Sequence, residues 1–373
     1  MRPRVTFVLP SLHGGGAERA AVTLLNGLAG RGYPATLFVF AKEGPYFDQL
    51  DRSVSVVVGD HGRAGRLRSL RRFLANERQA VVVSFLSHFT TYAAVRWADD
   101  HTKYAISQQT PLTAFLADRD YGWRRPVRRR VFTTVARAVY ARADGIAATS
   151  SGVADDLVRN FGVHRESVTV VPNPVDVGEV ERSAVEPIDA ALAAGDVPTI
   201  VTAGRLAHAK NLPLLVDSLE QLARRVPFRA WVLGQGELEG DLRRRLVKAG
   251  LADRVTLLGF QPNPWKFMAR ADVFLLTSRY EGFGNVLIEA MACGLPVVAT
   301  ASYGTRDIVR HGRTGLLVER HEAGDVAGAL ERLLTDGRMR DELAAHARVQ
   351  AAEYAVDAVV DRFDVFMGQL LSG

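Results

Sequence analysis

A chain of 373 residues is longer than one hydrophobic core usually supports, so two domains are expected. With 47% apolar and 24% charged residues it is neither disordered nor fibrous, and its single cysteine, Cys293, excludes an internal disulfide framework and fits a reducing compartment. The net charge of +6 divides unevenly, +10 in residues 1–170 and −4 in the rest. A basic first half suits an anionic partner such as a membrane surface, although 42 of the 47 basic residues are Arg, and that habit alone produces the same excess.

The start, Met1-Arg-Pro-Arg4, leads only into the apolar run Val5 to Leu9, too brief for the core of a secretory signal. No apolar run nears the roughly 20 residues that span a bilayer. A cytoplasmic protein is expected, one able to touch the inner face of a membrane. Short apolar runs then alternate with amphipathic stretches, the pattern of an α/β chain with parallel sheets. Strands are predicted in the first half at Arg4–Leu9, Ala35–Phe40, Val54–Val58, Ala80–Phe85, Tyr104–Ser107, Gly145–Thr149 and Val168–Val171. The second half offers Thr199–Ala203, Ala230–Leu233, Val255–Leu258, Val273–Leu276, Pro296–Ala299 and Leu316–Val318. Many are Val- and Ile-rich without alternation, as in strands covered on both faces. Between the halves, Pro172-Asn-Pro-Val-Asp176 is a turn cluster, and Glu179 to Asp196 is polar and Ala-rich with no strand pattern. The domain boundary is expected there, with domains at 1–175 and 176–355. A final helix, about Val356 to Leu371, carries an apolar stripe of Val359, Phe363, Phe366, Met367 and Leu370 that must be buried.

Each half opens with a phosphate-binding signal. His13-Gly-Gly-Gly16 follows the first strand and precedes a helix. Glycines let backbone N–H groups approach an anion, and the helix dipole favours negative charge. The G-x-G-x-x-G dinucleotide spacing is absent, and a glycine turn is also ordinary punctuation between strand and helix. In the second half, Thr202-Ala-Gly-Arg-Leu206 closes the first strand and Lys210 follows on the loop. Gly204, Arg205 and Lys210 together suit a diphosphate clamp, and as isolated features they also fit two solvated loop cations.

The densest segment runs from Thr277-Ser-Arg-Tyr-Glu-Gly-Phe-Gly-Asn285 into Val286-Leu-Ile-Glu-Ala-Met-Ala-Cys-Gly294. Gly282 and Gly284 bracket a tight loop, and a helix is predicted from Asn285, a good N-cap residue, to Gly294. Glu281 then stands on the loop and Glu289 about one turn into the helix. Each carboxylate can hold a pair of sugar hydroxyls, with loop N–H groups between them for an anion. Glu289 among Val286, Leu287, Ile288, Ala290 and Met291 is too apolar a setting for an idle carboxylate.

These residues resemble family 4 of the retaining glycosyltransferases. The likeness rests on the glycine turn at 14–16, Gly204-Arg205 with Lys210, Gly234-Gln-Gly236-Glu237, and Glu281 with Glu289 in a Glu-x7-Glu arrangement, and it extends from Ser302-Tyr-Gly304 through Gly312 to Val318. The resemblance implies two Rossmann-like domains facing across a cleft, the GT-B arrangement, with the last helix, 356–373, crossing back to the first domain. It implies a donor, a UDP-sugar, bound mostly by the second domain: Arg205 and Lys210 on the diphosphate, Glu289 on the ribose, Glu281 on the transferred sugar. Backbone groups of Gly282, Phe283, Gly284, Asn285 and Leu287 would support sugar and phosphate, that of Phe260 the base, and those of Gly15 and Gly16 the phosphates from the first domain. The reaction would retain anomeric configuration, of hexosyl or N-acetylhexosaminyl type, with no cofactor and no metal. Asp118-Arg-Asp120 has the form used by metal-dependent transferases of another fold but lacks the strand context, and is read as chance. Many family members place a His near the reacting sugar; here Gln108 and Gln109 follow the comparable strand, so His88, after Val81 to Phe85, is either a substitute or an ordinary surface or core histidine of a loop, and the two Gln are candidates for the acceptor side.

Two basic stretches remain. Arg63 to Leu74 places Leu67, Leu70 and Leu74 on one face, and Arg124 to Phe132 continues through Val135, Val139 and Tyr140. Such helices lie on anionic membranes or serve a core with a solvated basic face. The acceptor is expected to be a saccharide, a lipid-linked saccharide or a small glycoside. A nucleotide-sugar epimerase on the same fold is the rival reading. Nucleic acid is not expected as a partner, because no aromatic-rich basic strand or recognition helix is present.

Overall fold

The computed structural model describes residues 2–13, 15–98, 101–118, 126–193 and 197–372. They form two compact units, one of residues 1–175 with 355–373, the other of residues 176–354.

The first unit is built on seven parallel strands: β1 (Val5–Leu9), β2 (Ala35–Val39), β3 (Ser55–Val58), β4 (Val81–Phe85), β5 (Lys103–Gln108), β6 (Gly145–Ala148) and β7 (Val168–Val170). Their order is β3-β2-β1-β4-β5-β6-β7. Register runs from Val5 opposite Ala35 on one side and opposite Val81 on the other. β1, β2 and β4 are buried at every position because helices cover both faces. The edge strand β3 departs from that: its run of valines reads as a buried strand, yet Val56 and Val58 are 39% and 49% exposed, because among the described residues it lies at the end of the sheet.

The last helix, Val356–Ser372, belongs to this unit. Val359, Val360, Phe363, Phe366, Met367 and Leu370 join one cluster with Val5, Phe7, Leu25 and Val83, and the Phe363 ring lies 5.8 Å from that of Phe7. Two glycines permit this docking. A Cβ at Gly27 would sit 2.6 Å from Val360, and one at Gly145 would sit 2.7 Å from Leu370. Arg31 then pairs with Asp361 at 2.6 Å and Asp364 at 3.5 Å, and a parallel bridge joins Val175 to Ala355.

The second unit has six parallel strands: β8 (Thr199–Ala203), β9 (Arg229–Leu233), β10 (Val255–Gly259), β11 (Val273–Leu276), β12 (Val297–Thr300) and β13 (Gly315–Val318). Their order is β10-β9-β8-β11-β12-β13. Its core gathers Ile200, Leu215, Val232, Leu275, Val298, Leu316 and Leu330. In both units the winding reverses direction once, between β1 and β4 and between β8 and β11. Open α/β sheets bind ligands at the carboxyl ends of strands flanking such a reversal.

Candidate active site

In the second unit, the residues singled out by the sequence converge on the reversal between β8 and β11. The loop after β8 carries Gly204, Arg205 and Lys210, and the loop after β11 carries Glu281. The two loops are stitched together: Thr277 Oγ1 donates to the Lys210 carbonyl at 3.0 Å, and Arg279 N donates to Ala209 O at 2.8 Å. Lys210 Nζ reaches Glu281 Oε1 at 2.6 Å, and Ser278 Oγ donates to the same oxygen at 2.6 Å. Gly204 clears the path for this lysine, since a Cβ there would stand 2.9 Å from Lys210 Cε.

Close backbone packing explains the glycines of the neighbouring loops. A Cβ at Gly234 would fall 2.0 Å from Gly204 O, and one at Gly236 would fall 2.4 Å from Leu206 O. Leu206 N donates to Gln235 O at 3.0 Å and Leu238 N to Leu206 O at 3.1 Å, so the loop holding Arg205 is zipped to its neighbour. Gly304 does the same for the Glu281 loop. Its N–H donates to Glu281 O at 3.0 Å, and a Cβ would approach Gly282 O and Phe283 Cα to 2.5 Å. Gly304→Ala must therefore push the Glu281 loop aside.

The two cations differ in how they are held. Arg205 pairs with Glu237 at 3.3 Å while its side chain is 76% exposed. Such a surface pair contributes about 0–1 kcal/mol, so Arg205 is cheaply released to an incoming anion. Lys210 and Glu281 have side chains only 23% and 16% exposed, and they form the tighter pair. Glu289 stands on the Asn285–Ala292 helix, 8% exposed, where Trp265 Nε1 donates to its Oε2 at 3.1 Å. Gly284, not Asn285, is the residue before the first helical turn, since its φ of 105° suits only glycine.

The side chains of Leu287, Phe283, Gln108 and Gln109 are all buried within their own units. Leu287 is fully buried and its N–H donates to Gly284 O at 2.8 Å, so it offers no polar group to a ligand. Phe283 is 3% exposed and packs edge-on against Tyr354 with centroids 5.4 Å apart, anchoring the loop. Gln108 is 3% exposed; its carbonyl oxygen accepts from the Tyr140 hydroxyl and its Nε2 donates to Thr110 O. Both ends of the Gln108 amide are thus engaged within the first unit. Gln109 is also buried, with Nε2 donating to Ser107 Oγ at 2.8 Å. Phe260, at the end of β10, is 63% exposed.

In the first unit, Gly15 precedes the Gly16–Gly30 helix beside the reversal between β1 and β4, while Gly14 lies outside the described residues. The Glu18 carboxylate folds against this turn, with Oε2 2.3 Å from where a Gly15 Cβ would be. A negative group at a helix N-terminus is electrostatically favoured. Burial nonetheless raises the Glu18 carboxyl above its ordinary range, with its own backbone N–H and His13 opposing.

His88 follows β4 across Leu86, whose φ of 59° is a strained value for a side chain of that shape. His88 Nδ1 lies 2.8 Å from Ser84 Oγ, which lies 3.0 Å from the Tyr104 hydroxyl, and that hydroxyl donates to His88 O at 2.8 Å. Burial pushes the imidazole down to about 4, opposed by a hydrogen bond with the Ser84 backbone, so it is neutral near pH 7. The unfolded chain binds this proton below its ordinary 6.5. Between those values only the unfolded state takes up the proton, so first-unit stability is lost as pH falls from about 6.5 through about 4. Melting temperature against pH should show this slope, and His88→Gln should flatten it.

Of the basic stretches, the Arg63–Asn76 helix buries Leu70, Phe73 and Leu74 and half-buries Leu67, so its apolar face serves the core. The Pro126–Tyr140 helix buries Ala136, Val139 and Tyr140 and leaves Val131 and Val135 57% and 44% exposed; Arg124 and Arg125 lie outside the described residues, as does Asp120. Among the described residues no group of His, Cys, Asp and Glu is placed to hold a metal, and no helix is long and apolar enough to cross a membrane.

The fold and these loops define a class, the glycosyltransferases built on paired parallel α/β domains. Residues 14–179 match the family model described as "Glycosyltransferase Family 4" and residues 186–350 that described as "Glycosyl transferases group 1". Between them the models leave out only the chain ends and 180–185, and the chain belongs to the family 4 glycosyltransferases. Among its relatives is the Campylobacter jejuni N-acetylgalactosamine-N,N'-diacetylbacillosaminyl-diphospho-undecaprenol 4-alpha-N-acetylgalactosaminyltransferase, 33% identical over 58% of this chain and 58% of that protein. A D-inositol 3-phosphate glycosyltransferase of Pseudarthrobacter chlorophenolicus is 34% identical over 58% of this chain and 53% of its own length. The chain thus spans little more than half the length of these relatives. The fold is shared with Anabaena HepE in complex with UDP-glucose, at a TM-score of 0.82 and 21% identity over 98% of this chain and 100% of that one. It is shared equally with sucrose-phosphate synthase of Thermosynechococcus elongatus, at 0.82 and 19% over the whole of both chains.

Proposed function

We propose that the protein transfers a hexosyl or N-acetylhexosaminyl group from a UDP-sugar to a saccharide, a lipid-linked saccharide or a small-molecule acceptor, with retention of configuration and without a metal. The observation that carries this reading is the meeting of Lys210 and Glu281 at the strand reversal of the second unit, with Glu289 one turn into the adjoining helix. In this reading Glu289 holds the ribose hydroxyls and Glu281 the transferred sugar. Arg205, Lys210 and the start of the Asn285–Ala292 helix carry the diphosphate, and the rim at Phe260 receives the base.

The chemistry follows from charge. Breaking the anomeric bond leaves a nucleoside diphosphate with one more negative charge on its terminal oxygen. Two cations and a helix N-terminus fixed before the reaction stabilise that charge where it develops. Arrival of the diphosphate draws Lys210 from Glu281, and the carboxylate, still held by Ser278, turns to sugar hydroxyls. From the first unit, Gly15 and Gly16 would meet the phosphates and the neutral His88 the reacting sugar, both beside the reversal of β1 and β4, with Gln109, after β5, on the acceptor side. His88, lowered by burial, accepts a hydrogen bond more readily than it donates a proton. Undecaprenol-diphosphate-linked and inositol-phosphate acceptors named for the relatives support a phosphorylated or lipid-linked acceptor, reached at the membrane's inner face through the basic helices.

A calorimetric screen of UDP-, GDP- and ADP-sugars, with and without a chelator, tests the reading. UDP-sugars should bind best, Glu289→Ala should weaken them about tenfold to a hundredfold, and the chelator should change neither binding nor transfer. Undiminished binding in Glu289→Ala would remove the donor site from this helix.

A further inference from the structure

Trp265 opens a four-residue helix, Trp265–Met268, in the loop after β10, a stretch that carries no signal of its own in the sequence. Its surroundings are unusually fixed. Asn263 Oδ1 accepts from Trp265 N at 3.2 Å and Lys266 N at 3.4 Å, while Asn263 Nδ2 donates to Ser183 O at 2.8 Å. Arg270 donates to Lys266 O at 2.7 Å and Ala184 O at 3.1 Å. Cys293 Sγ donates to Trp265 O at 3.7 Å, and burial, followed by the charge of Glu289, pushes that thiol up to about 12 and keeps it protonated. The indole itself is 4% exposed, and its Nε1–H donates to Glu289 Oε2 at 3.1 Å.

We propose that Trp265 is a positioning residue for nucleotide recognition, fixing the Glu289 carboxylate so that it reads the ribose diol. This rests on Glu289 being the ribose ligand. The choice of partner has a physical reason. A carboxylate 8% exposed needs donors. A lysine or arginine would neutralise it and compete with the sugar for its lone pairs. Indole has one N–H and no acceptor, so its bond ties one oxygen, sets the plane of the carboxylate and adds no charge of its own. A diol is then met by an anion already aligned, and the ordering cost is not met at binding.

The test uses the full chain with UDP and 2′-deoxy-UDP as probes in calorimetry. Discrimination between them reports contact with the 2′-hydroxyl, because a site built to bond a hydroxyl rejects the analogue lacking it. One variant is Trp265→Phe. The other places benzothienylalanine at 265, which keeps the indole shape with sulfur in place of N–H, so packing is preserved if Trp265→Phe folds poorly. The sulfur variant should bind UDP about tenfold more weakly and lose most of its preference over 2′-deoxy-UDP, a selective loss that the modest fall in melting temperature from one missing buried donor does not produce. In a Glu289→Ala background the same replacement should change nothing further. Unaltered discrimination in the sulfur variant, or equal weakening of both probes, would overturn the role of Trp265 alone. Undiminished UDP binding in Glu289→Ala overturns the ribose reading and this role together.

Discussion

Lys210→Ala lowers kcat/KM for the nucleotide sugar by about 10²–10³-fold, the loss that follows removal of one preorganised group from a developing anion. Lys210 is the better-anchored of the two cations. Its backbone is tied to Thr277, its stem runs over Gly204, and its ammonium is 2.6 Å from Glu281. Arg205 is three-quarters exposed and its pairing with Glu237 is loose, so Arg205→Ala costs less. Lys210→Arg restores only part of the activity, because a planar guanidinium does not reproduce the compact ammonium that stands 2.6 Å from Glu281. Steady-state kinetics with Lys248→Ala, an exposed helix residue, as control separate the site effect from net charge. A loss below about tenfold would mean that Lys210 does not face the leaving diphosphate.

The second large effect is on stability. Phe363→Ala destabilises the first unit by about 3–5 kcal/mol, the usual cost of deleting a buried phenyl ring. Phe363 is 1% exposed, with ring centroids 5.8 Å from Phe7 and 5.6 Å from Phe366. The second unit has its own core, so urea denaturation should show two transitions in this variant, with only the first-unit transition moved to lower denaturant. Phe363→Leu should recover roughly half the loss. A shift of both transitions together would show that the units unfold as one.

Much of the fold is legible in the sequence because parallel strands covered on both faces leave unalternating runs such as Val81 to Phe85. Strand order is not legible, since it depends on pairings such as Val5 with Val81 that no local pattern encodes. The reversals between β1 and β4 and between β8 and β11 therefore emerge only in three dimensions. The same holds for β3, whose valines look buried and lie at an edge. At the site, Glu281, Lys210 and Glu289 stand out through residue type and context. Their partners do not. Ser278 and Trp265 are commonplace residues made significant by one hydrogen bond each, and Gly234 and Gly236 need the backbone of a neighbouring loop to explain them. Gln108 reads as a polar group at a strand end, and only the position of Tyr140 reveals that it points inward.

The return of the last helix to the first unit has a consequence for synthesis. The first unit's core cluster includes six side chains from residues beyond 355. The chain leaves the ribosome N-terminal end first, so residues 176–354 emerge before the closing helix of the first unit. The usual order in which domains mature during translation, earliest first, is here inverted. Until the helix arrives, the place where Val360 meets Gly27 and Leu370 meets Gly145 stands uncovered, a natural holding point for a chaperone that favours apolar surface. A released chain truncated after about residue 355 should be protease-resistant in its second unit and sensitive in its first.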